Sequence, residues 1–394
     1  MAGELEIENI SRETIKLSSP TPNHLRNFKL SFLEQIAPVM YTPIVLFYSQ
    51  NGDSDHPGEA AKMCQCLKTS LSKILTLFYP FAGRFKDHAS IECNDDGADF
   101  LEAQVICRLS DIPRQPNANN LRTFLPIEIE SMEAMQTHYA HSSKAGLPPL
   151  LGLASQIIPH PEFLTASVFP PKDPPMLPLP FPPGNCKTRT RRFVFTASKI
   201  AALKAKAAGA CVQQPSRVEA VTLLIWKCSM IAISKTTVRG CPRLSQATHA
   251  VNLQSSAEGE IELQELVCKL RKGKHELVEM SSKKADLALG EETYKKIVYV
   301  GSLAARDDTE SYSYSSWCAF PFYDADFGWG KPTWMTATSW AFNNIVLIMD
   351  AKHGDGVEAW VDLDEDAMFL FEQNEELLAF ALLNPSVLPH SQSN

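Results

Sequence analysis

Ser216 and Arg217 occupy a position where a phosphate group could bind. Ser216 and Glu219 have the S-x-x-E spacing of a capping box, which predicts that a helix begins at this point. The unpaired N–H groups and the dipole at a helix start favour an anion, and Arg217 would add a positive charge beside them. A serine that only caps its helix has the same spacing. The sequence therefore leaves two roles open for Ser216, phosphate binding and helix capping.

Ten histidines are the candidate general bases, because an imidazole can take up a proton near neutral pH. Two of them, His88 and His275, are followed four residues later by a glutamate. We predict that both are exposed and non-catalytic, because His88 lies beside a tight turn and His275 lies in a lysine-rich helix. His138, His141 and His160 are interpreted as polar surface residues, with a base among them as the alternative.

The run Asp326-Phe327-Gly328-Trp329-Gly330 has the composition of a tight loop. Two glycines that flank a tryptophan allow positive φ angles, while the indole packs against the loop. Asp326 is placed to accept hydrogen bonds from donors in the loop or from a nearby arginine. We interpret the run as a structural motif, and we expect Trp329 to be substantially buried and Asp326 to accept at least one hydrogen bond or ion pair.

Other chemistries find no support in the sequence. It contains no G-x-S-x-G elbow, P-loop, G-x-G-x-x-G or H-E-x-x-H motif. The ten cysteines are scattered, and the closest pair, Cys64 and Cys66, has no second pair beside it. This pattern indicates neither a metal site nor a disulfide framework. We therefore expect no bound metal and reduced thiols throughout.

The composition is typical of a globular protein that acts on small molecules. The 394 residues carry a formal net charge of −8, which argues against a nucleic-acid or anionic-membrane partner. A hydrophobic content of 44% is ample for more than one core. No apolar run is long enough to span a bilayer, and the acidic start MAGELEIEN is unlike a signal peptide. These features predict a cytoplasmic protein.

A proline-rich seam divides the chain. Between Pro170 and Pro183, eight of fourteen residues are proline, so this segment cannot form a helix or a central strand. Helical and strand periodicities are interleaved on both sides, which predicts an α/β protein with two domains. The predicted strands are 43–48, 89–93, 99–105, 192–195, 247–253, 345–350 and 357–361, and the predicted helices are 58–78, 198–208, 218–233, about 260 onward and 364–383. Turn residues at 94–97 and 354–356 predict that the strands beside each turn form a hairpin.

Several short motifs carry a resemblance to a known family. They are SSPTP at 18–22, YPFAGR at 79–84, CNDDG at 93–97, RFVF at 192–195, SRVEA at 216–220 with IWK at 225–227, AVNL at 250–253, SWC at 316–318, DFGWGKP at 326–332 and GDGVE at 354–358. Their identity and order resemble the BAHD acyl-CoA-dependent acyltransferases of plants, in particular the alkaloid branch. The resemblance covers nearly the whole chain.

The resemblance implies two α/β domains that are similar to chloramphenicol acetyltransferase and enclose a channel. The expected division is an N-terminal domain at 1–169, a crossover at 170–190, and a C-terminal domain at 191–394 that carries DFGWG. Acyl-CoA would enter from one face and a small acceptor alcohol from the other, without a permanently bound cofactor, and the chain is expected to be monomeric. The helix start at Ser216 and Arg217 would lie close to the CoA, and DFGWG would lie away from the reacting atoms.

The catalytic motif of the family is missing. In the family, the histidine of H-x-x-x-D-G deprotonates the acceptor hydroxyl, and none of the ten histidines here has aspartate four residues later. Residues 127–156 fill a gap in which the family has a strand, a glycine-rich turn, this motif and a helix. A second gap follows residue 253, where the family arginine is replaced by Gln254. We predict that the strand which follows in the family is absent and that the chain passes directly into a helix.

The resulting functional prediction is an acyl-CoA-dependent O-acyltransferase, with acetyl as the expected acyl group and a hydroxyl of an alkaloid-like plant metabolite as the acceptor. The alternative is a non-catalytic or non-classical relative, such as a pseudoenzyme, a binding protein or a cyclase that needs no base. Because the histidine motif is absent, no catalytic residue is assigned, and classical acyltransferase activity is expected to be weak or absent.

Overall fold

A computed structural model of the chain describes residues 7–30, 43–49, 57–87, 90–105, 121–125, 187–236, 244–249, 253–257, 263–282, 295, 298–304, 306, 308–338, 344–352 and 354–387. The proline-rich seam and four of the histidines discussed above, His88, His138, His141 and His160, lie outside the described residues. The side chain of His275 also lies outside them.

The described elements interleave strands and helices. The strands are β1 (Ile7–Ile15), β2 (Asn27–Lys29), β3 (Ile44–Phe47), β4 (Arg84–Asp87), β5 (Ser90–Glu92), β6 (Ala98–Val105), β7 (Thr188–Phe195), β8 (Leu244–His249), β9 (Leu253–Ala257), β10 (Thr309–Ser316), β11 (Trp334–Ala337), β12 (Ile345–Asp350), β13 (Val357–Asp364) and β14 (Leu382–Leu383). The helices are α1 (Pro57–Leu77), α2 (Ala197–Ala207), α3 (Arg217–Thr236), α4 (Leu263–Ser282), α5 (Glu365–Phe371) and α6 (Glu375–Phe380). The α/β class predicted from the sequence is confirmed.

Seven of the described strands form one mixed sheet in the order β14-β7-β13-β12-β10-β8-β9. β8, β10 and β12 are parallel to one another, and β13 is antiparallel to both of its neighbours, β12 and β7. The predicted hairpin of β12 and β13 is confirmed. This sheet is the scaffold on which the candidate site is built.

One face of this sheet is covered by helices. Side chains of β12 alternate between the two faces, and Val346 and Ile348 point into the core that is shared with α2, α3, α4 and α5. The apolar run of α3 is buried within this core, as predicted, and the indole of Trp226 donates a hydrogen bond of 2.8 Å to Ser245 Oγ. The strands therefore keep a fixed position relative to the start of α3.

The opposite face of the sheet contacts the first half of the chain. Leu347 and Trp360 pack there against Leu121 and against Trp334 of β11. β11 is antiparallel to β3, so a strand from the second half of the chain pairs with one from the first half. The ring of Phe47 in β3 stacks on Trp334 with centroids 5.2 Å apart. The two halves of the chain are thus joined by a pair of strands and an aromatic core.

A buried ion pair lies on the same face. Arg192 donates hydrogen bonds of 2.6 and 2.8 Å from Nε and Nη2 to the two carboxylate oxygens of Glu358. Their side chains are only 3% and 5% exposed. Arg192 also donates to the carbonyl of Pro385 at 2.8 Å, and its guanidinium lies 5.7 Å from the ring centre of Trp334. The pair therefore links β7, β13, β11 and the C-terminal segment.

The N-terminal strands correct one prediction. β5 and β6 do not form a hairpin: β5 pairs with β2 and β4, and β6 pairs with β1. The turn between them holds other parts of the chain, because Asp95 accepts hydrogen bonds from Thr21 Oγ1 at 2.6 Å and from Arg26 at 3.0 Å. The turn at 94–97 was predicted correctly from its residues, but long-range packing sets the partners of the strands beside it.

Two predictions in the second half of the chain are also wrong. Residues 253–257 form β9, an antiparallel edge strand beside β8, so the chain does not pass directly from residue 253 into α4, which is described over Leu263–Ser282. A polar segment can pair at a sheet edge because the ladder bonds come from the backbone alone. The single helix expected at 364–383 is instead α5, α6 and β14. α6 is a separate helix with its own N-cap, Asn374, whose side chain accepts a hydrogen bond from Leu377 N at 3.0 Å.

The cysteines differ from expectation at one pair. Cys211 and Cys268, which are 57 residues apart, form a disulfide, so the prediction of reduced thiols throughout is wrong for them. Such a spacing carries no signal in the sequence. No described helix combines the length and the apolar character that crossing a bilayer requires, and the described residues contain no group of three side chains that could hold a metal ion.

Candidate functional site

The carboxyl ends of three strands meet at one edge of the seven-stranded sheet. β10 and β12 are parallel, and β7 runs in the same direction because both β7 and β12 are antiparallel to β13. These strands end at Phe195, Ser316 and Asp350. The first turns of α2 and α3 begin at the same edge. In open α/β sheets this edge is where ligands bind.

A cleft of about 430 Å³ opens at this edge. Its lining residues are Val194, Phe195, Thr196, Ala197, Ser198, Ala351, Asp355 and Gly356. Thr196 caps α2, since its side chain accepts a hydrogen bond from Lys199 N at 3.4 Å. The N–H groups at a helix start have no partner within the helix. The cleft therefore presents backbone donors and the positive end of a helix dipole to a ligand.

The β12–β13 turn closes the other side of the cleft. Gly354 has a φ angle of +77°, which favours glycine. Gly356 is needed for a different reason, because a Cβ atom there would lie 2.9 Å from the carbonyl oxygen of Phe195. The two glycines let the turn approach the end of β7 closely enough to form a cleft wall.

The start of α3 is fixed by the predicted capping box, which is confirmed. Ser216 N donates to Glu219 Oε2 at 2.6 Å, and Glu219 N donates to Ser216 Oγ at 3.2 Å. Burial would raise the pKa of Glu219, but hydrogen bonds from Arg271 and Ser216 outweigh burial and lower that pKa to about 2. Ser216 is thus a helix cap, and its predicted role in binding a ligand is not tested by this geometry.

Arg217 joins α3 to the wall of the cleft. Its Nη2 lies 2.7 Å from Asp350 Oδ1, and its Nη1 donates to the carbonyl of Gly354 at 2.8 Å. The Arg217 side chain is 31% exposed. Asp350 also accepts a hydrogen bond from Ala319 N at 2.7 Å. Arg217 is therefore a cation held beside the cleft, because its two partners, Asp350 and Gly354, are adjacent in sequence to the lining residues Ala351 and Asp355.

Cys318 is the nearest described thiol to this ion pair. Burial raises the pKa of Cys318 to about 11, and the Asp350 carboxylate acts in the same direction while Arg217 opposes it. A thiol with so high a pKa is almost entirely protonated near neutral pH. Cys318 is therefore unsuited to act as a nucleophile.

The DFGWG loop lies apart from the cleft. Gly328 and Gly330 have φ angles of +104° and +102°, as their sequence predicts. Asp326 Oδ1 accepts hydrogen bonds from both glycine N–H groups at 2.8 and 3.0 Å, which lower the pKa of the carboxyl. Phe327 stacks on Trp329 with centroids 5.6 Å apart.

The loop contacts the first half of the chain through Tyr48. Its hydroxyl donates to Ala325 O at 2.8 Å, and its ring lies 6.2 Å from that of Trp329. Most of the Trp329 surface is buried, as expected, whereas Asp326 is exposed. The prediction that Asp326 is paired is confirmed. The observed contacts agree with a structural role for the loop.

Asp326→Ala is expected to lower the thermal midpoint of unfolding modestly, because the loop loses an acceptor shared by two N–H groups. Asp326→Asn keeps an acceptor oxygen and should lie between the alanine variant and the wild type. Differential scanning calorimetry at neutral pH would measure both. An alanine variant as stable as the wild type would contradict a structural role for Asp326.

Sequence reasoning identified part of this site. Ser216 and Arg217 lie at the strand edge, as their helix start suggested. The cleft residues Thr196 and Ser198 were missed, although a threonine that directly follows a strand and precedes a helix is a recognisable N-cap signal. The Arg217–Asp350 pair could not be read from the sequence, because it depends on how α3 packs on the sheet. The candidate bases His138, His141 and His160 lie outside the described residues.

Comparison with known proteins identifies the family. A family model described as the Transferase family matches residues 5–138, 159–254 and 246–378. This protein belongs to that family, the BAHD acyltransferases. The match is interrupted between 138 and 159 and restarts at 246, close to the two places where the sequence predicts missing family segments.

Similar proteins act in plant specialised metabolism. The chain is 34% identical to akuammiline synthase 1 of Alstonia scholaris, with 96% of this chain and 98% of the relative covered. It is 33% identical to stemmadenine O-acetyltransferase of Catharanthus roseus, with 95% and 97% covered. Among solved structures, that of vinorine synthase superimposes with a TM-score of 0.71 at 26% identity and covers 97% of this chain and 100% of the other.

Proposed function

We propose that this protein is an acyl-CoA-dependent O-acyltransferase whose acceptor is a hydroxyl of a plant specialised metabolite such as an alkaloid, with acetyl as the acyl group. The observation that carries the proposal is the cleft at the strand edge, which is lined by the start of α2 and is flanked by Arg217 through its contacts with Asp350 and Gly354. Support for acetyl and for a hydroxyl acceptor comes from the similarity to stemmadenine O-acetyltransferase.

The cleft is suited to the phosphate groups of CoA. Backbone N–H groups at the start of α2 and the guanidinium of Arg217 can both donate to phosphate oxygens. Lys199 and Lys352 are exposed beside the lining residues and would add positive charge. CoA would bind here as a substrate that is exchanged in each turnover.

The reaction would proceed by attack of the acceptor oxygen on the thioester carbonyl. The oxygen–carbon bond forms, the carbon–sulfur bond breaks, the hydroxyl proton passes to a base and the CoA thiolate leaves. No base is assigned among the residues that the structure describes. His138, His141 and His160 are the residues to replace first when the base is sought.

Arg217→Ala is expected to weaken CoA binding about 10- to 100-fold, because a charge-assisted hydrogen bond to phosphate contributes about 1.5–3 kcal/mol. Isothermal titration of the purified chain with CoA would measure the change. Arg189→Ala is the matched control: Arg189 lies at the opposite end of β7 and is 40% exposed, and its loss should leave CoA affinity within about twofold. Equal losses in the two variants would indicate a general charge effect and contradict a specific site.

The activity itself is tested by incubating the full chain with acetyl-CoA and a panel of alkaloid alcohols, with products read by mass spectrometry. We expect an acetylated product at a turnover below about 1 s⁻¹, slow for an enzyme, because the family histidine motif is missing. CoA binding without any product would favour the second candidate, a non-catalytic family member. The specific observation behind that candidate is the absence of aspartate four residues after any histidine. A chain that neither binds CoA nor forms product would contradict both.

The division at 1–169, 170–190 and 191–394, the cytoplasmic location and the monomeric state remain predictions. The pairing of β3 with β11 makes the division testable, because a fragment of residues 187–394, which keeps β7 whole, would expose the partner-facing edge of β11. We expect that fragment to aggregate and the full chain to elute as a monomer in size-exclusion chromatography with light scattering.

A further inference from the structure

The loop between α2 and α3, residues 208–216, is held by one face of α4. Gln264, Cys268 and Arg271 are spaced four and three residues apart, so they lie on the same side of that helix. Gln264 donates from Nε2 to the carbonyl of Lys206 at 2.8 Å, just before the loop. Cys268 is joined to Cys211 by the disulfide, which is the central point of attachment.

Arg271 holds the far end of the loop. Its Nη2 donates to the carbonyl of Gln214 at 2.9 Å, and its Nε donates to Glu219 Oε1 at 2.8 Å. Glu219 is half of the capping box that fixes the start of α3. The attachment to α4 is therefore continuous with the position of Arg217 at the cleft.

The disulfide is accessible to reagents in solution. Cys211 is exposed and Cys268 is half-buried, whereas the other two attachments are hydrogen bonds that do not depend on oxidation. Breaking the central attachment leaves the ends of the loop bound and frees its middle. A change in the oxidation state of this one pair can thus alter the order of the segment that leads into α3.

We propose that Cys211 and Cys268 form a thiol–disulfide control on the start of α3. In the disulfide form, loop 208–216 is fixed and Arg217 is held at the cleft. In the dithiol form, the loop is freer and part of its ordering must be supplied when a ligand binds, which weakens binding. The effect on CoA rests on the function proposed above, whereas the effect on the loop does not.

The interconversion is an ordinary thiol–disulfide exchange. A thiolate of a dithiol reductant attacks the exposed Cys211 sulfur, the S–S bond breaks, and Cys268 leaves as a thiolate that takes up a proton. The second thiol of the reductant then displaces Cys211, so that two electrons and two protons pass to the pair and the reductant becomes a disulfide. A small-molecule disulfide such as oxidised glutathione drives the reverse reaction.

The test compares the full chain after treatment with oxidised glutathione and after treatment with dithiothreitol. Peptide mapping should find Cys211 linked to Cys268 only in the first sample. Amide hydrogen exchange across 209–219 should be slower in that sample, and CoA should bind at least about fivefold more tightly by titration. The double variant Cys211→Ser, Cys268→Ser should behave like the reduced protein under both treatments, while Cys66→Ser should keep the full response.

Three results would overturn the proposal: no linked peptide after oxidation, equal exchange of the 209–219 amides in the two states, or measurable CoA binding with equal affinity in the two states. A fourth result separates the two proposals. If neither state binds CoA but exchange still differs, the control on the loop stands and the proposed function falls.

Discussion

Glu358→Gln is expected to destabilise the folded protein by about 3–5 kcal/mol, because it leaves the Arg192 guanidinium charged and unpaired in the protein interior. The two side chains are 3% and 5% exposed, so water cannot replace the lost carboxylate. Arg192 would retain its hydrogen bond to Pro385 O, which neutralises no charge. The midpoint of urea unfolding, followed by tryptophan fluorescence, would report the loss.

Two controls make this prediction specific. Arg12 and Asp99 form a pair at 2.9 Å whose arginine is 66% exposed, and Arg12→Ala should cost no more than about 1 kcal/mol. The double variant Arg192→Met, Glu358→Leu removes both charges and should recover most of the stability lost in Glu358→Gln. If Glu358→Gln costs no more than Arg12→Ala, the buried pair contributes little to the fold.

Both residues of this pair belong to motifs that the sequence revealed, RFVF and GDGVE, yet nothing in the sequence paired them. The pairing follows from the register of β7 and β13, in which Trp360 lies opposite Arg192 and Glu358 lies opposite Val194. Register depends on long-range packing, which a single sequence does not display. The β12–β13 hairpin was predictable because its turn residues and strand patterns are local.

The difference between local and long-range signals also explains which parts of the candidate site could be predicted. The capping box at Ser216 and Glu219 is a four-residue signal, and its prediction is confirmed. The cleft is built from β7 and α2, which are consecutive, and from the β12–β13 turn, which begins after Asp350 and is distant in sequence. The family resemblance therefore pointed to the neighbourhood but not to Thr196 or Ser198. The disulfide between Cys211 and Cys268 was missed for the same reason. The polar strand β9 was missed because it has no hydrophobic alternation to read.

Asp362 on β13 is a second buried carboxyl. Glu358 accepts hydrogen bonds from a guanidinium, whereas Asp362 accepts one from a neutral hydroxyl. Asp362 is 1% exposed, and Thr190 Oγ1 donates to its Oδ2 at 2.7 Å. Burial raises the pKa of Asp362 from 3.8 to about 7, while the Thr190 hydrogen bond and the charge of Arg122 act in the other direction. No hydrogen bond to Oδ1 is found among the described residues. The interior therefore favours the protonated form of Asp362.

The sign of the stability effect follows from this raised pKa. Because the folded state binds the proton more tightly than the unfolded chain does, the contribution of Asp362 is fully present below about pH 4 and is lost as the pH rises through about 7. The ionised carboxyl then carries a cost of about 4 kcal/mol. Glu219, whose pKa is lowered from 4.5 to about 2, acts in the opposite direction. Its contribution to stability is present above about pH 4.5 and is lost as the pH falls towards 2.

Asp362→Asn should therefore gain stability relative to the wild type as the pH rises, by about 4 kcal/mol between about pH 4 and pH 8, because asparagine keeps the shape and the threonine hydrogen bond without the ionisation. Urea unfolding of both proteins at a series of pH values would measure the difference, in which the contributions of Glu219 and other groups cancel. Asp366→Asn removes an exposed carboxyl from the neighbouring helix and corrects for the general effect of losing one negative charge. If the difference in unfolding free energy between Asp362→Asn and the wild type stays constant across this range, the Asp362 carboxyl ionises in the folded state at no cost. The surroundings of β13 would then stabilise the carboxylate as well as water does.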